Sequence, residues 1–375
     1  MRVLVLANND VGLYKFRREL LDEILHPGSY IEGRVAEPCE VFISLPNGEF
    51  VSDMKKMGCK FIDTPLERHG TNPIQELKLK KRYKQLLQEV KPDIVFSYTI
   101  KPNIYGGMAC KSLKVPCVMN ITGLGTAVEN GGMMQKIMLI LYKFALPGAQ
   151  KVFFQNAENE KFFTDYKLAF GKHDMLPGSG VNLEQYTVSD YPTEDTIEFV
   201  FISRIMKEKG VDQYLEAAKV LREKYPQTRF HICGYCEPEY SGELQKLADN
   251  GTVIYHGLVK DIAAIHKVTH CTVHPTYYPE GLSNVLLEAS ASGRPIITTD
   301  RSGCREVIDD GVNGFIVKQK DSADLIEKLE KFINLSYEQK KKMGLAGRAK
   351  VEREFDRQIV VKKYLKELER IKGEL

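Results

Sequence analysis

Glu280-Gly-Leu-Ser-Asn-Val-Leu-Leu-Glu288 is the segment that decides the fold, and Ala289-Ser-Ala-Ser-Gly293-Arg-Pro295 follows it directly. Ser283 is a favoured N-cap type, residues 284–290 form a short apolar run, and Gly293 with Pro295 ends that run before a β-rich stretch. The pattern predicts a helix whose N-terminus follows a loop. Free N–H groups and the positive end of the helix dipole at that point favour a bound diphosphate.

Two carboxylates end this segment, with seven residues between them. Glu280 lies in the loop just before the helix, where it can accept hydrogen bonds from the hydroxyl groups of a sugar. We predict that Glu288 accepts hydrogen bonds from a ribose. Glutamates are usually solvated, so an exposed loop residue and an exposed helix face are the alternative. The segment alone does not decide between the two.

A second feature is a pair of cations after a buried-type strand. The apolar run 198–203 predicts the strand, and Arg204 and Lys209 follow it in a loop before an amphipathic pattern that begins at Val211. Ligands bind at the carboxyl ends of strands in doubly wound sheets, and Arg with Lys can neutralise a leaving diphosphate. We predict this role for both cations, whereas Lys207 is interpreted as a solvated side chain.

Apolar strand-like runs alternate with helical patterns along the chain, which predicts parallel sheets with crossover helices. A polar, proline-containing segment, residues 186–196, interrupts the series and is interpreted as a linker. Two similar α/β domains are therefore expected, facing each other across a cleft. The predicted strands are residues 3–6, 41–45, 94–98, 117–121 and 152–154 before the linker, and 199–203, 230–233, 253–255, 272–274, 296–298 and 315–317 after it.

With these features the chain resembles the retaining glycosyltransferases of family four, which have the GT-B fold of two Rossmann-like domains. The resemblance rests on the loop from Ser203-Arg204 to Lys209-Gly210, the turn Pro177-Gly-Ser-Gly180-Val-Asn182 and the segment from Glu280 to Glu288. The N-terminal half is similar to bacterial enzymes that extend polyprenyl-diphosphate-linked sugars for capsule, O-antigen or glycoprotein glycans. That similarity rests on Tyr14-Lys-Phe16-Arg17, Ser97-Tyr-Thr-Ile-Lys101-Pro-Asn103-Ile-Tyr-Gly and Asn120-Ile-Thr-Gly123-Leu-Gly125.

The resemblance implies domain bounds and site residues. It implies an acceptor-side domain over residues 1–183, a linker over 184–196, a nucleotide-sugar-binding domain over 197–355, and a C-terminal helix, 356–375, that packs back on the N-terminal domain. The implied catalytic residues are Glu280, Arg204 and Lys209. The implied donor-binding residues are Gly12, Arg204, Lys209, Leu258, Gly281, Leu282, Ser283, Asn284, Val285 and Glu288, and the implied acceptor-binding residues are Arg17, Lys101, Asn103, Asn120 and Thr122.

The implied reaction moves a hexose or N-acetylhexosamine, with retention, from a nucleotide diphosphate sugar to a lipid-linked saccharide. UDP is the nucleotide that the resemblance favours. The sequence contains no Gly-x4-Gly-Lys-Ser/Thr loop, no His-Glu-x-x-His and no Asp-x-Asp pair. Protein groups must then neutralise the diphosphate, so we expect a reaction that needs neither a metal nor a cofactor.

The N-terminal domain departs from the family pattern at two places. Many members have two glycines after the first strand, where this chain has Gly12 alone, and many have a histidine at the end of a later strand, where the matching residue is Ile100. Isoleucine cannot act as a base, which fits a mechanism in which the leaving phosphate oxygen takes the acceptor proton. Arg17 lies in the predicted first helical turn, where a cation is unfavourable, and this suggests function as much as it suggests a solvated face.

Residues 133–146 are apolar almost throughout, with Lys136 and Lys143 among them. The run is too short to span a bilayer, which takes about twenty residues. A buried helix and a helix that lies in the membrane interface, near a lipid-linked acceptor, are both open. On the second interpretation the chain makes peripheral contact with the inner face of the cell membrane.

The composition is that of an ordinary globular protein. The 375 residues are 43% hydrophobic and 27% charged, and this length exceeds one typical domain. The net charge of +3, without a basic block interleaved with aromatic residues, argues against a nucleic-acid partner. Eight scattered cysteines, and a first strand where a signal peptide would stand, predict a cytoplasmic protein. The Cys233-Gly-Tyr-Cys236 pair is interpreted as incidental.

Two other function classes stay open. A non-hydrolysing sugar-nucleotide epimerase also has two facing α/β domains, but it needs acid/base carboxylates in the N-terminal domain, where the sequence shows no clear set. An inactive nucleotide-sugar-binding subunit of a transferase complex is the other class. The presence of Arg204, Lys209, Glu280 and Glu288 argues against it, whereas Ile100 favours it.

Overall fold

The computed structural model describes residues 1–67, 72–125, 131–168, 171–193 and 195–374. The chain divides into two compact units. Domain 1 comprises Met1–Ser179 and the chain from Gln358 onward, and domain 2 comprises Gly180–Arg357. The predicted linker falls within domain 2 by this division, and residue 194 of that linker and residue 375 of the predicted C-terminal helix lie outside the described residues.

Domain 1 is built on a parallel sheet. Its described strands pair in the order β3-β2-β1-β4-β5-β6-β7. Most residues of the central strands are fully buried, as expected for a parallel sheet covered by helices on both faces. The strands are β1 (Arg2–Leu6), β2 (Glu40–Leu45), β3 (Lys60–Asp63), β4 (Ile94–Tyr98), β5 (Cys117–Ile121), β6 (Ala149–Phe154) and β7 (His173–Met175).

Domain 2 has a second parallel sheet, with the order β10-β9-β8-β11-β12-β13. Its described strands are β8 (Ile197–Ile202), β9 (Thr228–Cys233), β10 (Ile254–Tyr255), β11 (Cys271–His274), β12 (Ile296–Thr299) and β13 (Gly314–Val317). In each sheet the strand order reverses once, between β1 and β4 in domain 1 and between β8 and β11 in domain 2. Such a reversal opens a crevice at the carboxyl ends of the two strands, and open parallel sheets bind ligands there.

Helices connect the strands and cover the sheets. The described helices of domain 1 are Asp10–Leu25, Val51–Lys56, Pro73–Val90, Gly107–Leu113, Gly132–Ala145 and Ala157–Asp165, with a π-helical turn at Pro102–Gly106. Those of domain 2 are Val211–Lys224, Ser241–Asp249, Ile262–Val268, Asn284–Ala291, Ser322–Ile333 and Tyr337–Glu354, and the last helix of the chain is Arg357–Glu374. Nowhere in the described part of the chain is a helix both long enough and apolar enough to cross a bilayer.

The last helix returns to domain 1, as predicted. Tyr364 is fully buried there, with its ring 5.1 Å from the ring centroids of both Phe96 and Phe153. Val360 and Leu365 of the same helix belong to the same apolar core. Residues near the end of the chain therefore complete the core that the first strands begin.

The predicted fold class is confirmed at the level of two parallel-sheet, Rossmann-like domains. A strand occurs at each place where an apolar run predicts one, although the ends differ by a few residues. Two strands were missed, β3 (Lys60–Asp63) and β7 (His173–Met175). Both are short, partly polar strands at the edges of the sheet, and such strands carry little apolar signal.

Candidate active site

The strand-order reversal of domain 2 brings two predicted site residues together. Lys209 follows β8 and Glu280 follows β11, and these two strands are neighbours in the sheet. The ammonium group of Lys209 contacts Oε1 of Glu280. Lys209 is only 9% exposed, so the ion pair is largely removed from water. A buried cation and a half-buried carboxylate thus meet where the fold places ligands.

Backbone contacts hold the loop that carries Lys209 against the loop after β11. The carbonyl oxygen of Glu208 accepts hydrogen bonds from the backbone N–H of Tyr277, at 2.9 Å, and from Oγ1 of Thr276, at 3.2 Å. Gly210 has a φ of 79°, and a Cβ there would lie 2.1 Å from the carbonyl oxygen of Pro275. Only glycine permits this close approach, so Gly210 fixes the position of the preceding lysine.

Glu280 is held in its ionised form. Burial alone would raise the pKa of its carboxyl group, but the Lys209 ammonium and the nearby His274 outweigh burial and lower that pKa to about 2. Nε2 of His274 lies 3.9 Å from Oε1 of Glu280, too far for a hydrogen bond.

His274 is the last residue of β11 and is 2% exposed. Within the described part of the chain, neither of its ring nitrogens has a hydrogen-bond partner. Burial lowers the pKa of His274, as does the charge of Lys209, so the ring is neutral near pH 7. Sequence analysis missed this residue, because it stands at the end of an apolar run that predicts only a strand.

Tyr278 lies between the two predicted cations. The Lys209 ammonium is 4.6 Å from the ring centroid of Tyr278, and the Arg204 guanidinium is 5.9 Å from it. Arg204 is half-exposed and has its guanidinium 3.9 Å from Glu237. The Tyr278 ring thus lies near two cations, the buried Lys209 and the solvent-accessible Arg204. The sequence gives no signal for Tyr278 beyond its place next to Glu280.

The predicted helix after Glu280 is present as Asn284–Ala291, with Ser283 at the N-cap position. The Ser283 side chain makes no capping hydrogen bond, so it leaves the first N–H groups of the helix uncapped. Oδ1 of Asn284 is buried and has no hydrogen-bond partner among the described residues. Glu288 is half-buried one turn further along. The uncapped N–H groups and Oδ1 of Asn284 can therefore serve a ligand at the helix start.

Three predicted donor-binding residues are apolar, and the structure separates them. Leu282 is buried in the core of domain 2, so only its backbone can meet a ligand. Val285 is half-buried against a second apolar cluster. Leu258 is 76% exposed in the loop after β10. Gly281 is buried next to Gly303, where a Cβ on Gly303 would lie 2.9 Å from the Gly281 carbonyl oxygen.

In domain 1, Gly12 lies in the first turn of the Asp10–Leu25 helix and donates its N–H to Oδ1 of Asn9, the N-cap residue, at 2.6 Å. Arg17 lies about two turns from the helix start, so the prediction that it stands in the first turn is wrong. Its guanidinium lies 5.0 Å from the ring centroid of Tyr98. Arg17 is fully buried, and in this state it does not present its charge to an acceptor.

Asn103 and Asn120 belong to a buried hydrogen-bond network. Oγ of Ser97 donates to Oδ1 of Asn103 at 2.7 Å, and Nδ2 of Asn103 donates to the carbonyl oxygen of Asn120 at 2.8 Å. Nδ2 of Asn120 donates to the hydroxyl of Tyr364 at 2.9 Å. Both amides are buried. Their contacts fix the carboxyl ends of β4 and β5.

Lys101 and Thr122 are less enclosed. Lys101 pairs with Glu76 of the Pro73–Val90 helix at 2.6 Å, and Thr122 is half-buried just after β5. In the turn after β4, two residues before Lys101, Thr99 has a φ of 72°. A β-branched residue avoids this region, and such strain is common at functional sites. Oγ1 of Thr99 is buried with no hydrogen-bond partner in the described ranges.

Ile100 lies close to the carboxyl end of β4. The strand ends at Tyr98, so Ile100 lies two residues beyond the strand, next to Gly125. The residue at the strand's end is therefore a tyrosine. Burial raises the pKa of Tyr98 well above its ordinary value, so its hydroxyl stays protonated.

Among the described residues, no group of three or more His, Cys, Asp or Glu side chains is arranged to hold a metal ion. The candidate site of domain 2 instead offers two cations, an ionised carboxylate and uncapped helix N–H groups. Chemically, this set can bind a diphosphate and orient a neighbouring hydroxyl-bearing group.

Two family models match the chain. The model described as "Glycosyl transferases group 1" matches residues 189–350, and the model described as "Glycosyl transferase 4-like" matches residues 35–156. The first match includes the Lys209–Glu280 pair. The second includes the carboxyl ends of β4 and β5.

Curated relatives are similar over much or all of the chain. The N,N'-diacetylbacillosaminyl-diphospho-undecaprenol alpha-1,3-N-acetylgalactosaminyltransferase of Campylobacter jejuni is 25% identical, over 99% of this chain and 99% of its own. The capsular polysaccharide biosynthesis glycosyltransferase CapM of Staphylococcus aureus is 27% identical, over 73% of this chain and 76% of its own.

Solved structures share the fold. HepE of Anabaena, in complex with UDP and glucose, superposes with a TM-score of 0.79 at 17% identity, over 98% of this chain and 99% of that one. A glycosyltransferase of Rickettsia africae superposes with a TM-score of 0.80 at 18% identity, over 99% and 98%. The two family models, which together match most of the chain, show that it belongs to the group 1 and family 4-like glycosyltransferases, and the likeness to these structures shows the GT-B fold.

Proposed function

We propose that this chain is a retaining, metal-independent hexosyltransferase. It moves a hexose or N-acetylhexosamine from a UDP-linked sugar to a lipid-linked saccharide, in the synthesis of a surface polysaccharide or glycan. The observation that carries the proposal is the buried pair of Lys209 and Glu280 at the strand-order reversal of domain 2.

The positive groups of the site serve the diphosphate. Lys209 and the more exposed Arg204 lie around one tyrosine ring, so a diphosphate at that ring can reach both. The uncapped N–H groups at the start of the Asn284–Ala291 helix add donors of the same sign. Because the site is partly removed from water, these charges act more strongly than they would in solution. Glu288 is assigned to the ribose hydroxyl groups.

Glu280 is assigned to the sugar. A carboxylate with a pKa of about 2 is a weak base near pH 7, but it is a strong hydrogen-bond acceptor for sugar hydroxyl groups. The proton of the acceptor hydroxyl then goes to the leaving phosphate oxygen on the same face of the sugar. Attack from the face that the leaving group occupies retains the anomeric configuration.

Relatives support the choice of donor and acceptor. The Campylobacter jejuni enzyme, similar over the whole chain, is named for a diphospho-undecaprenol-linked acceptor, and Anabaena HepE was solved with UDP and glucose. In domain 1 we propose Lys101 and Thr122 as acceptor-binding residues, with Asn103 and Asn120 as their buried support. Arg17 is reassigned to the support of Tyr98.

The Gly132–Ala145 helix supports contact with a membrane. Met133, Ile137, Ile140 and Phe144 recur at helical spacing along one exposed side, which we name the apolar stripe, and Met133 is 78% and Phe144 58% exposed. Lys136 and Lys143 are exposed beside the stripe. We propose that this stripe lies in the headgroup region of an anionic leaflet, where lysines are attracted and a lipid-linked acceptor is at hand.

The test of this function is an incubation with a panel of sugar nucleotides and an extract that contains lipid-linked saccharides. Transfer of a sugar to the lipid-linked acceptor is the expected result. A donor epimerised without transfer would establish the epimerase instead. Nucleotide binding with no turnover on any donor would establish an inactive binding subunit.

A further inference from the structure

The buried imidazole of His274 is the least satisfied polar group beside the Lys209–Glu280 pair. It is 2% exposed, and neither nitrogen has a hydrogen-bond partner in the described part of the chain. A buried N–H without a partner is unfavourable, and native structures keep few of them. Its persistence next to a catalytic carboxylate suggests a partner that arrives in another state of the site.

A ligand is not that partner in the state seen here, because the imidazole is closed off from solvent. Nε2 lies 3.9 Å from Oε1 of Glu280, so a movement of about 1 Å by the carboxylate would bring the two within hydrogen-bond distance. The same oxygen is now held by Lys209. His274 and Lys209 therefore approach one carboxylate oxygen, and only Lys209 reaches it.

Donor binding changes this balance. The diphosphate brings negative charge to Lys209 and draws its ammonium away from Glu280. A buried carboxylate that loses its cation is strongly destabilised unless another donor replaces it. His274 is the group placed to do so.

We propose that His274 is a positioning residue for Glu280: it is a reserve hydrogen-bond donor that holds the carboxylate when the donor diphosphate engages Lys209. This inference rests on the proposed function of the site. It explains how one lysine can neutralise Glu280 in the empty site and serve the diphosphate in the filled one. His274 keeps the carboxylate aimed at the sugar during the reaction.

The first test compares His274→Met with His274→Gln, two side chains of similar shape of which only Gln can donate. We expect His274→Met to lower kcat by about tenfold or more, as for a lost hydrogen bond to a charged group, and to leave UDP affinity within about twofold of wild type. His274→Gln should recover most of kcat. Equal kcat in the two variants, whether reduced or normal, would overturn the proposal.

A second test needs no turnover, so it separates this inference from the proposed function. Thermal unfolding is measured for Lys209→Met, His274→Met and the double variant. We expect His274→Met to melt at or above the wild-type temperature, since it removes an unsatisfied buried group. The double variant should lose more than the sum of the single changes, because Glu280 then loses both the Lys209 ammonium and the His274 imidazole that could replace it. Failure of only the double variant to fold would count as that excess.

Additive melting shifts would overturn the reserve-donor role even if the wild-type protein transfers sugar. Conversely, a wild-type protein that transfers no sugar, with an excess loss in the double variant, would refute the proposed function alone. The coupling of His274 to Glu280 would then stand as a property of the site.

Discussion

Replacing Glu280 by Gln best separates the role proposed for Glu280, at the sugar, from the role proposed for Lys209, at the diphosphate. The change keeps the shape of the side chain and removes its charge. Because the pKa of Glu280 is about 2, against an ordinary 4.5, the wild-type group is fully ionised at pH 7. The variant therefore converts a charged acceptor for the sugar into a neutral one.

The magnitude follows from that difference. A hydrogen bond to a charged group contributes about 1.5–3 kcal/mol, which corresponds to a loss of roughly 10- to 150-fold in turnover. UDP affinity should stay at the wild-type level or increase, because Lys209 is released from its ion pair and is free for the diphosphate. The variant should melt at a lower temperature, since Lys209 is buried without its counter-charge.

Steady-state kinetics with the active donor and calorimetric titration with UDP measure the two effects separately. Glu243→Gln is the matched control, because Glu243 pairs with Lys219 at 2.9 Å on the surface of the same domain. An exposed pair of this kind contributes about 0–1 kcal/mol, so the control should behave as wild type. If Glu280→Gln weakens UDP binding as much as it slows turnover, the carboxylate addresses the nucleotide and the assignment is refuted.

Four further predictions concern the metal requirement, the pH dependence of stability, membrane binding and the buried network of domain 1. Activity should survive EDTA, and a complete loss that magnesium or manganese restores would show that Arg204 and Lys209 are insufficient counter-charge. Because Lys209 lowers the pKa of Glu280 to about 2 in the folded state, the ionised carboxylate should stabilise the fold fully above pH 4.5 and progressively less as the pH falls toward 2. The melting-temperature gap between wild type and Glu280→Gln should therefore shrink between pH 5 and pH 3, and a constant gap would contradict this. The double change Ile137→Gln and Ile140→Gln should reduce binding to anionic vesicles and leave the melting temperature unchanged. The control Val220→Gln, at an exposed apolar site of domain 2, should leave vesicle binding unchanged. Leu141→Gln should lower the melting temperature, because Leu141 packs on the core of domain 1. Tyr364→Phe leaves Nδ2 of Asn120 without its Tyr364 acceptor and should lower the stability of domain 1 by about 1–3 kcal/mol in urea unfolding. An unchanged unfolding midpoint would contradict this.

The sequence predicted the fold because its signals were local. Short apolar runs such as residues 199–202 are typical of buried strands, and their alternation with amphipathic helical patterns favours parallel sheets. The edge strands β3 and β7 were not predicted, because a strand that pairs with only one other strand can be stable with few apolar residues. Leu141 faces the core of domain 1, but the sequence could not predict this, because residues 133–146 are apolar on nearly every side of the helix.

The site divides in the same way. Lys209 and Glu280 could be placed together from sequence, because each follows an apolar strand and such strand ends share one edge. The burial of Arg17 could not be predicted, because it depends on the rings of Tyr98 and Tyr364, the latter from the far end of the chain. His274 was hidden for a related reason. The role proposed for His274 depends on the 3.9 Å distance between its Nε2 and Oε1 of Glu280, and a sequence pattern does not reveal such a distance.

A crystal structure of this protein with UDP bound tests the roles of Lys209 and Glu280 most directly. We expect the diphosphate within hydrogen-bond distance of Lys209 and Arg204, at the start of the Asn284–Ala291 helix, with the ribose at Glu288. We also expect Nε2 of His274 within hydrogen-bond distance of Glu280 in that complex. A diphosphate bound away from Lys209, for instance at Gly12 of domain 1, would refute the proposed donor site.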